Sequence, residues 1–156
     1  MKDRPVTTVP RDRAAIEALL PHAGAMCLIS RIESVDASLI SCVADNHADP
    51  RHPLRHAACL PITAGIEYGA QAVALHSILD ARPADPGIVS RPRAGYLAVL
   101  RDVRWYQDRL DQEPASLEVA AHRLTELATG LHYRFEVRSS GRTLIEGELI
   151  VALDPG

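Results

Sequence analysis

The stretch HPLRHAACLPITAGIEYGAQAVALHS, residues 52–77, decides how this chain is read. From residue 64 to 79 it is built of apolar and small side chains, and its only formal charge is Glu67. Thr63 is placed to cap a helix there, and Pro83 marks its end. A helix that is apolar nearly all round belongs in an interior, where carboxylates are rare unless partnered. Glu67 is therefore expected to face a polar cavity or a partner; the plainer alternative is a carboxylate near a helix N-terminus, where the dipole favours negative charge. Gln71, one turn on, shares its face and makes a polar spot in an apolar wall. Gly65, Gly69, Ala70, Ala72 and Ala74 keep one side thin, as close approach to a sheet requires. Each glycine costs about 1 kcal/mol of helix stability against alanine, so a packing or functional reason is expected.

Upstream, residues 45–58 are polar and rich in histidine (His47, His52, His56) and read as a long loop, the kind that tends to carry function. A lone loop histidine is usually only solvated. The loop spacings of five and four, with no cysteine among them, form no recognisable zinc pattern, so no metal is expected. His76, His122 and His132 read as structural or exposed. The chain has no G-x-S-x-G elbow, no G-x-G-x-x-G and no P-loop.

Outward from the helix, residues 1–11 read as a loose tail. Asp12 can cap a short helix carrying Ile16, Leu19 and Leu20, which Pro21 stops. Residues 26–32 and 39–43 suggest two strands around a turn near Asp36. Residues 82–93 form a Pro-rich linker. Strand signals then dominate at 95–106, 117–124, 131–137 and 144–153. Apolar and polar residues alternate at period two over 131–137, and Ser139-Ser140-Gly141-Arg142 is a hairpin turn. One long apolar helix with strands in runs indicates an α+β fold with an antiparallel sheet wrapped on the helix.

The bulk properties narrow the class. The chain has 156 residues, enough for one domain, with 47% hydrophobic and 24% charged residues and a net charge of -3. That balance argues against nucleic-acid binding. The N-terminus carries no apolar signal core, and no apolar run reaches the length of a membrane span, so no membrane partner is expected. Cys27, Cys42 and Cys59 are an odd set without C-x-x-C spacing, which suits reduced thiols in a cytoplasm. With aromatics at 4%, an aliphatic core is expected.

The ordered segments resemble the beta-hydroxyacyl-[acyl-carrier-protein] dehydratases. Leu20-Pro21-His22 followed by Met26-Cys27-Leu28-Ile29-Ser30-Arg31-Ile32 is similar to that family's opening. His52-Pro53, Leu60-Pro61 and Ile66-Glu67-Tyr68-Gly69-Ala70-Gln71-Ala72 resemble its active-site region, where a loop histidine precedes a proline and a helix bearing Glu-x-x-Ala-Gln. The resemblance covers residues 16–153. It implies a hotdog fold, a single domain over 12–156 behind the 1–11 tail, and a dimer whose sheets join. It also implies a site at the subunit interface, with a histidine from one chain and a carboxylate from the other, and a tunnel along the helix for the acyl-phosphopantetheine arm of acyl carrier protein. Glu67 takes the place of the carboxylate and His52 that of the histidine, with His56 in reserve. Gln71, Pro61, Ile62 and His56 fall where substrate would be held. Where the family's loop reads His-Phe-Pro-Gly and a Pro-Gly pair precedes the helix, this chain has His52-Pro53-Leu54-Arg55 and Pro61-Ile62, and loss of those glycines affects the backbone contact to the thioester carbonyl.

The implied chemistry is dehydration of a 3-hydroxyacyl thioester to an enoyl thioester, in fatty-acid or polyene-type biosynthesis, without a cofactor. A histidine serves as base. A carboxyl set in an apolar wall is expected to stay partly protonated through desolvation, as an acid requires. The alternatives on the same fold are an acyl thioesterase, and a non-catalytic acyl-binding subunit that pairs with another hotdog chain.

Overall fold

The computed structural model describes residues 9–21, 24–80 and 95–153. His22, the linker at 82–93 and the proline at 83 lie outside them. Two helices and six strands follow in the order α1 (Arg13–Leu19), β1 (Arg31–Val35), β2 (Leu39–Ala44), α2 (Ala64–Asp80), β3 (Gly95–Trp105), β4 (Leu117–Leu127), β5 (Gly130–Ser139) and β6 (Arg142–Leu153). The strands form one antiparallel sheet, ordered β1-β2-β4-β5-β6-β3. Helix α2 packs on one face of the sheet, against β2, β4 and β5. This is the α+β hotdog architecture expected from the sequence.

Local chemistry accounts for the elements. Asp12 accepts a hydrogen bond from the Ala15 amide at 2.8 Å and caps α1. The β5–β6 hairpin turns at Ser140 (φ 49°) and Gly141 (φ 75°), a pair of positive φ values that matches the strands' twist. The period-two pattern of β5 buries Leu131, Tyr133, Phe135 and Val137.

Three expectations change. Residues 26–29 do not form a strand: Met26 ends a 3-10 turn (Gly24–Met26), and β1 starts only at Arg31. Cys27, Leu28 and Ile29 are fully buried, and a side-chain amide from α2, rather than a neighbouring strand, satisfies the Leu28 backbone. Thr63 precedes α2, but the helix's first amides go to backbone carbonyls: Ala64 to Pro61 at 3.0 Å, Gly65 to Ile62 at 2.9 Å and Ile66 to Thr63 at 3.1 Å. The core is not purely aliphatic either. Tyr68, Tyr133 and Phe135 are its largest fully buried side chains, while Tyr96, Trp105 and Tyr106 are exposed on or just after β3.

The thin side of α2 serves packing. A methyl group on Gly69 would lie 2.6 Å from Cδ2 of Phe135, and one on Gly65 2.5 Å from Cγ2 of Ile145. These glycines let the helix touch the sheet through β5 and β6. Gly69→Ala should lower stability by about 1–3 kcal/mol from overpacking, outweighing the gain of about 1 kcal/mol in helix propensity. Urea unfolding checks this: the midpoint should fall with an unchanged slope.

Candidate active site

The loop at 45–62 is clamped before it reaches α2. The Asp111 carboxylate accepts from the Leu60 amide at 3.1 Å and from Arg109 Nε at 2.9 Å, and Arg55 lies 3.5 Å from it. The Arg109 guanidinium, bonded to that carboxylate, holds its pKa far below the usual range. Leu110 donates its amide to Leu60 at 2.8 Å and Ile62 donates to Asp108 at 3.0 Å. The Ile62 amide is thereby committed inside the fold, and Pro61 has none to offer, so neither presents a backbone donor to a thioester carbonyl. Ile62 is buried and Pro61 half-buried.

At the tip of this loop, His56 and Cys59 exchange backbone hydrogen bonds at 2.8 and 3.0 Å around Ala57 (φ 50°) and Ala58 (φ 63°). Two consecutive alanines in the left-handed region store strain on the order of 1 kcal/mol each. His56 itself is exposed.

His52 is buried, and each ring nitrogen has a partner. Nε2 lies 2.9 Å from the Tyr68 hydroxyl, Nδ1 accepts from the Leu54 amide at 3.1 Å, and Tyr68 donates to Asn46 Oδ1 at 2.7 Å. Burial lowers the His52 pKa below 6.5; Asp49 pulls it back up, while Arg55 and His47 add to the fall. Burial raises that of Tyr68.

Glu67 is half-buried one residue earlier on α2. Its Oε1 accepts from Gln71 Nε2 at 3.2 Å, so the expected polar spot exists as a contact. Gln71 is almost fully buried. Its Nε2 also donates to the Met26 carbonyl at 2.7 Å, and its Oε1 accepts from the Leu28 amide at 2.8 Å. One amide therefore fixes the buried segment 26–28 against α2 and orients Glu67. Within the chain, Tyr68 and the Leu54 amide meet His52, and Gln71 meets Glu67.

The remaining histidines take other parts. His76 Nε2–H donates to the Asp36 carbonyl at 2.8 Å, so its Nδ1 accepts from Tyr133 at 2.7 Å. Burial pushes the Tyr133 hydroxyl up to about 12. His132 contacts Glu148 at 2.8 Å, and His122 is exposed. His47 Nε2–H donates to the Glu113 carbonyl at 2.9 Å. His47, His52 and His56 do not converge, and no group of three His, Cys, Asp or Glu residues among the described residues is placed to hold a metal ion. Sequence reasoning missed Tyr68 and Asn46. The one available signal was the placement of Tyr68 beside Glu67, on a different side of the helix and toward the histidine loop.

The comparisons fix the family. The model of the ApeP-like family, described as ApeP dehydratase, matches residues 14–155. The chain belongs to the ApeP-like dehydratases. No curated protein matches it. Among solved structures, this ApeP-like chain is similar to the dehydratase heterocomplex ApeI:P from Xenorhabdus doucetiae, at 21% identity and TM-score 0.75, over 89% of this chain and 90% of that one. It is also similar to a mutant thioesterase from Pseudomonas aeruginosa, at 14% identity and TM-score 0.59, over 96% and 98%. A hypothetical thioesterase protein with coenzyme A from Streptococcus pneumoniae follows, at 10% identity and TM-score 0.56, over 80% and 84%. At these identities the solved structures establish the fold; the family match establishes the dehydratase membership.

The lowered pKa of His52 has a stability consequence. Its contribution is fully present above the unfolded-state value of 6.5 and is lost as pH falls from there toward the folded pKa, because the unfolded chain takes up the proton first. Urea unfolding between pH 7.5 and 5 should show the wild type losing stability over this window, with a shallower loss in His52→Gln.

Proposed function

We propose that this ApeP-like chain dehydrates 3-hydroxyacyl thioesters, delivered on acyl carrier protein, to enoyl thioesters in fatty-acid or polyene-type biosynthesis. The observation that carries the reading is Glu67, set in the apolar helix of a dehydratase-family hotdog fold and held by Gln71 at 3.2 Å. Glu67 protonates the departing hydroxyl and His52 removes the α-proton, each meeting its complement across a subunit interface. Pro61, Ile62 and the exposed His56 line the approach for the pantetheine arm. A reaction of this kind, run by one acid and one base, requires no cofactor.

The partner surface supports the interface reading. β3 is an edge of the sheet among the described residues, and Tyr96, Leu97, Val99, Leu100 and Trp105 are exposed along it. A long apolar edge strand is a template for pairing with another strand. The occupant is a second hotdog chain, as a homodimer or a hetero-oligomer; the ApeI:P heterocomplex, similar over nine-tenths of the chain, favours an unlike partner. The protein operates in the cytoplasm on this reading; among the described residues no helix is long and apolar enough to cross a membrane.

A second reading has its own observation. Both ring nitrogens of His52 are taken within the chain, which suits a supporting subunit that holds the acyl group for an active partner. Such a chain forms no enoyl product alone and forms it with its partner.

Two measurements test the proposal. With 3-hydroxyacyl-carrier protein as substrate and enoyl product followed by mass spectrometry, Glu67→Gln should lower turnover by about 100-fold or more, while His122→Ala, on the exposed face, leaves it unchanged. Free acid without enoyl product would identify a thioesterase instead. Replacing Leu97 and Leu100 together by lysine should convert the assembled species to the 17.0 kDa chain in analytical ultracentrifugation.

A further inference from the structure

The hydrogen bonds around His52 admit one protonation pattern. Asn46 Oδ1 can only accept, so the Tyr68 O–H, at 2.7 Å, donates to it. The Tyr68 oxygen is then left to accept, and at 2.9 Å it receives a proton held on His52 Nε2. On the other side the Leu54 amide can only donate, and Nδ1 accepts from it at 3.1 Å. The neutral imidazole therefore carries its hydrogen on Nε2 and its lone pair on Nδ1. Tyr68 is fully buried, and its ring lies 5.9 Å from the imidazole at 33°, so packing as well as hydrogen bonding fixes the ring.

We propose that Tyr68, backed by Asn46, is the positioning residue that makes Nδ1 of His52 the basic nitrogen of the site. The inference rests on the dehydratase reading above and assigns the base down to the atom. In the chain as it stands, the Leu54 amide caps that lone pair. The base meets substrate when the Leu54 amide turns away from that lone pair while His52 stays on Tyr68, and the strained pair Ala57 and Ala58 lies three residues further along the same loop. The proton on Cα of the 3-hydroxyacyl thioester then passes to Nδ1, the bond from C3 to its hydroxyl breaks, and the hydroxyl leaves as water with the proton of Glu67. The C2–C3 double bond forms with the electron pair released at Cα. Solvent returns the proton from Nδ1 to Glu67 before the next turnover.

Tyr68 favours this transfer because its oxygen keeps accepting from Nε2–H while the imidazole is charged. Burial works against the charge at this position, so a preorganised acceptor matters more than it would in water. The other charged groups acting here are Asp49, Arg55 and His47 on the loop, with Asp45 and Arg13 acting on the Tyr68 hydroxyl. Their signs are mixed, which leaves the Tyr68 contact as the directed one.

The test joins ¹⁵N NMR of the imidazole with a pH–rate profile on the full chain, assembled with its partner where it has one. Wild-type His52 should show the Nε2–H tautomer. In Tyr68→Phe the acid limb of kcat/KM should move to lower pH, with kcat falling on the order of tenfold or more and KM little changed. In Asn46→Asp, where a carboxylate stands behind the hydroxyl, the limb should move to higher pH. A merely structural Tyr68 would lower stability and leave the limb in place, and Asn46→Asp keeps the test available if Tyr68→Phe folds poorly. An Nδ1–H tautomer in the wild type, or an acid limb unmoved in both variants, overturns the proposal. Wild-type protein that forms no enoyl product sinks the dehydratase reading itself, a result distinct from normal turnover with an unmoved limb.

Discussion

The contact between Gly69 and the Phe135 ring sets the distance at which α2 lies from the sheet, and the rest of the structure follows from that distance. Any side chain there must displace the ring, since a methyl on Gly69 would stand 2.6 to 2.9 Å from three atoms of Phe135. Gly147 pairs with Phe135 across β5 and β6, and a methyl there would lie 3.0 Å from its Cε1. The ring thus lies against two glycines, one on the helix and one on β6. Glycine is a poor choice for a helix interior on propensity alone. Burial of the helix between Phe135, Ile145 and Val137 compensates, since dispersion and hydrophobic gains grow with the closeness of the contact.

Once α2 is seated at this distance, its polar residues have little freedom. Gln71 is carried toward the segment at 26–28, where its amide replaces the strand partner that this buried stretch lacks. Both ends of the amide are engaged by backbone groups of fixed polarity, so its orientation is determined and the bond to Glu67 comes from the nitrogen side. On another side of the same helix, Tyr68 reaches the histidine loop. A single helix therefore presents Glu67 through one side-chain amide and restrains His52 through one hydroxyl. Packing and chemistry are coupled here: a change that tilts α2 moves both groups.

Much of this was legible in the residues. The apolar run at 64–79, the period-two pattern of β5 and the Ser-Gly turn each carry a local physical signal, and together they specify a sheet wrapped on one helix. The pairing of Glu67 with Gln71 was legible too, because residues four apart on a helix are neighbours. What stayed hidden depended on long-range contacts. Residues 26–29 look like a strand because they are apolar, and only the arrival of Gln71, 43 positions from Leu28, gives that stretch a different solution. The tie from Asn46 through Tyr68 to His52 joins loop to helix across 22 and 16 positions, and no local periodicity encodes it. The glycines were read correctly as a thin face, but composition could not say whether a thin face admits a ligand or a phenyl ring.

The filled space beneath α2 bears on where an acyl chain would lie. Phe135 and Ile145 occupy the contact between helix and sheet, so a chain of methylenes would have to run outside it. The outward stripe of α2, with Ile66, Ala70, Ala74 and Ile78 half-exposed, begins beside Glu67. The sheet continues past the helix to β6 and β3, whose aliphatic side chains Val151 and Leu153 are half-buried and Leu97 and Leu100 exposed. A single chain leaves this apolar surface in water, at a cost of about 25 cal/mol for each Å². A second hotdog chain laid along β3, as proposed above, would cover the part of it on that edge. On the proposed function, the exposed edge strand and a carboxylate set in the apolar first turns of α2 belong to one arrangement that a partner would complete.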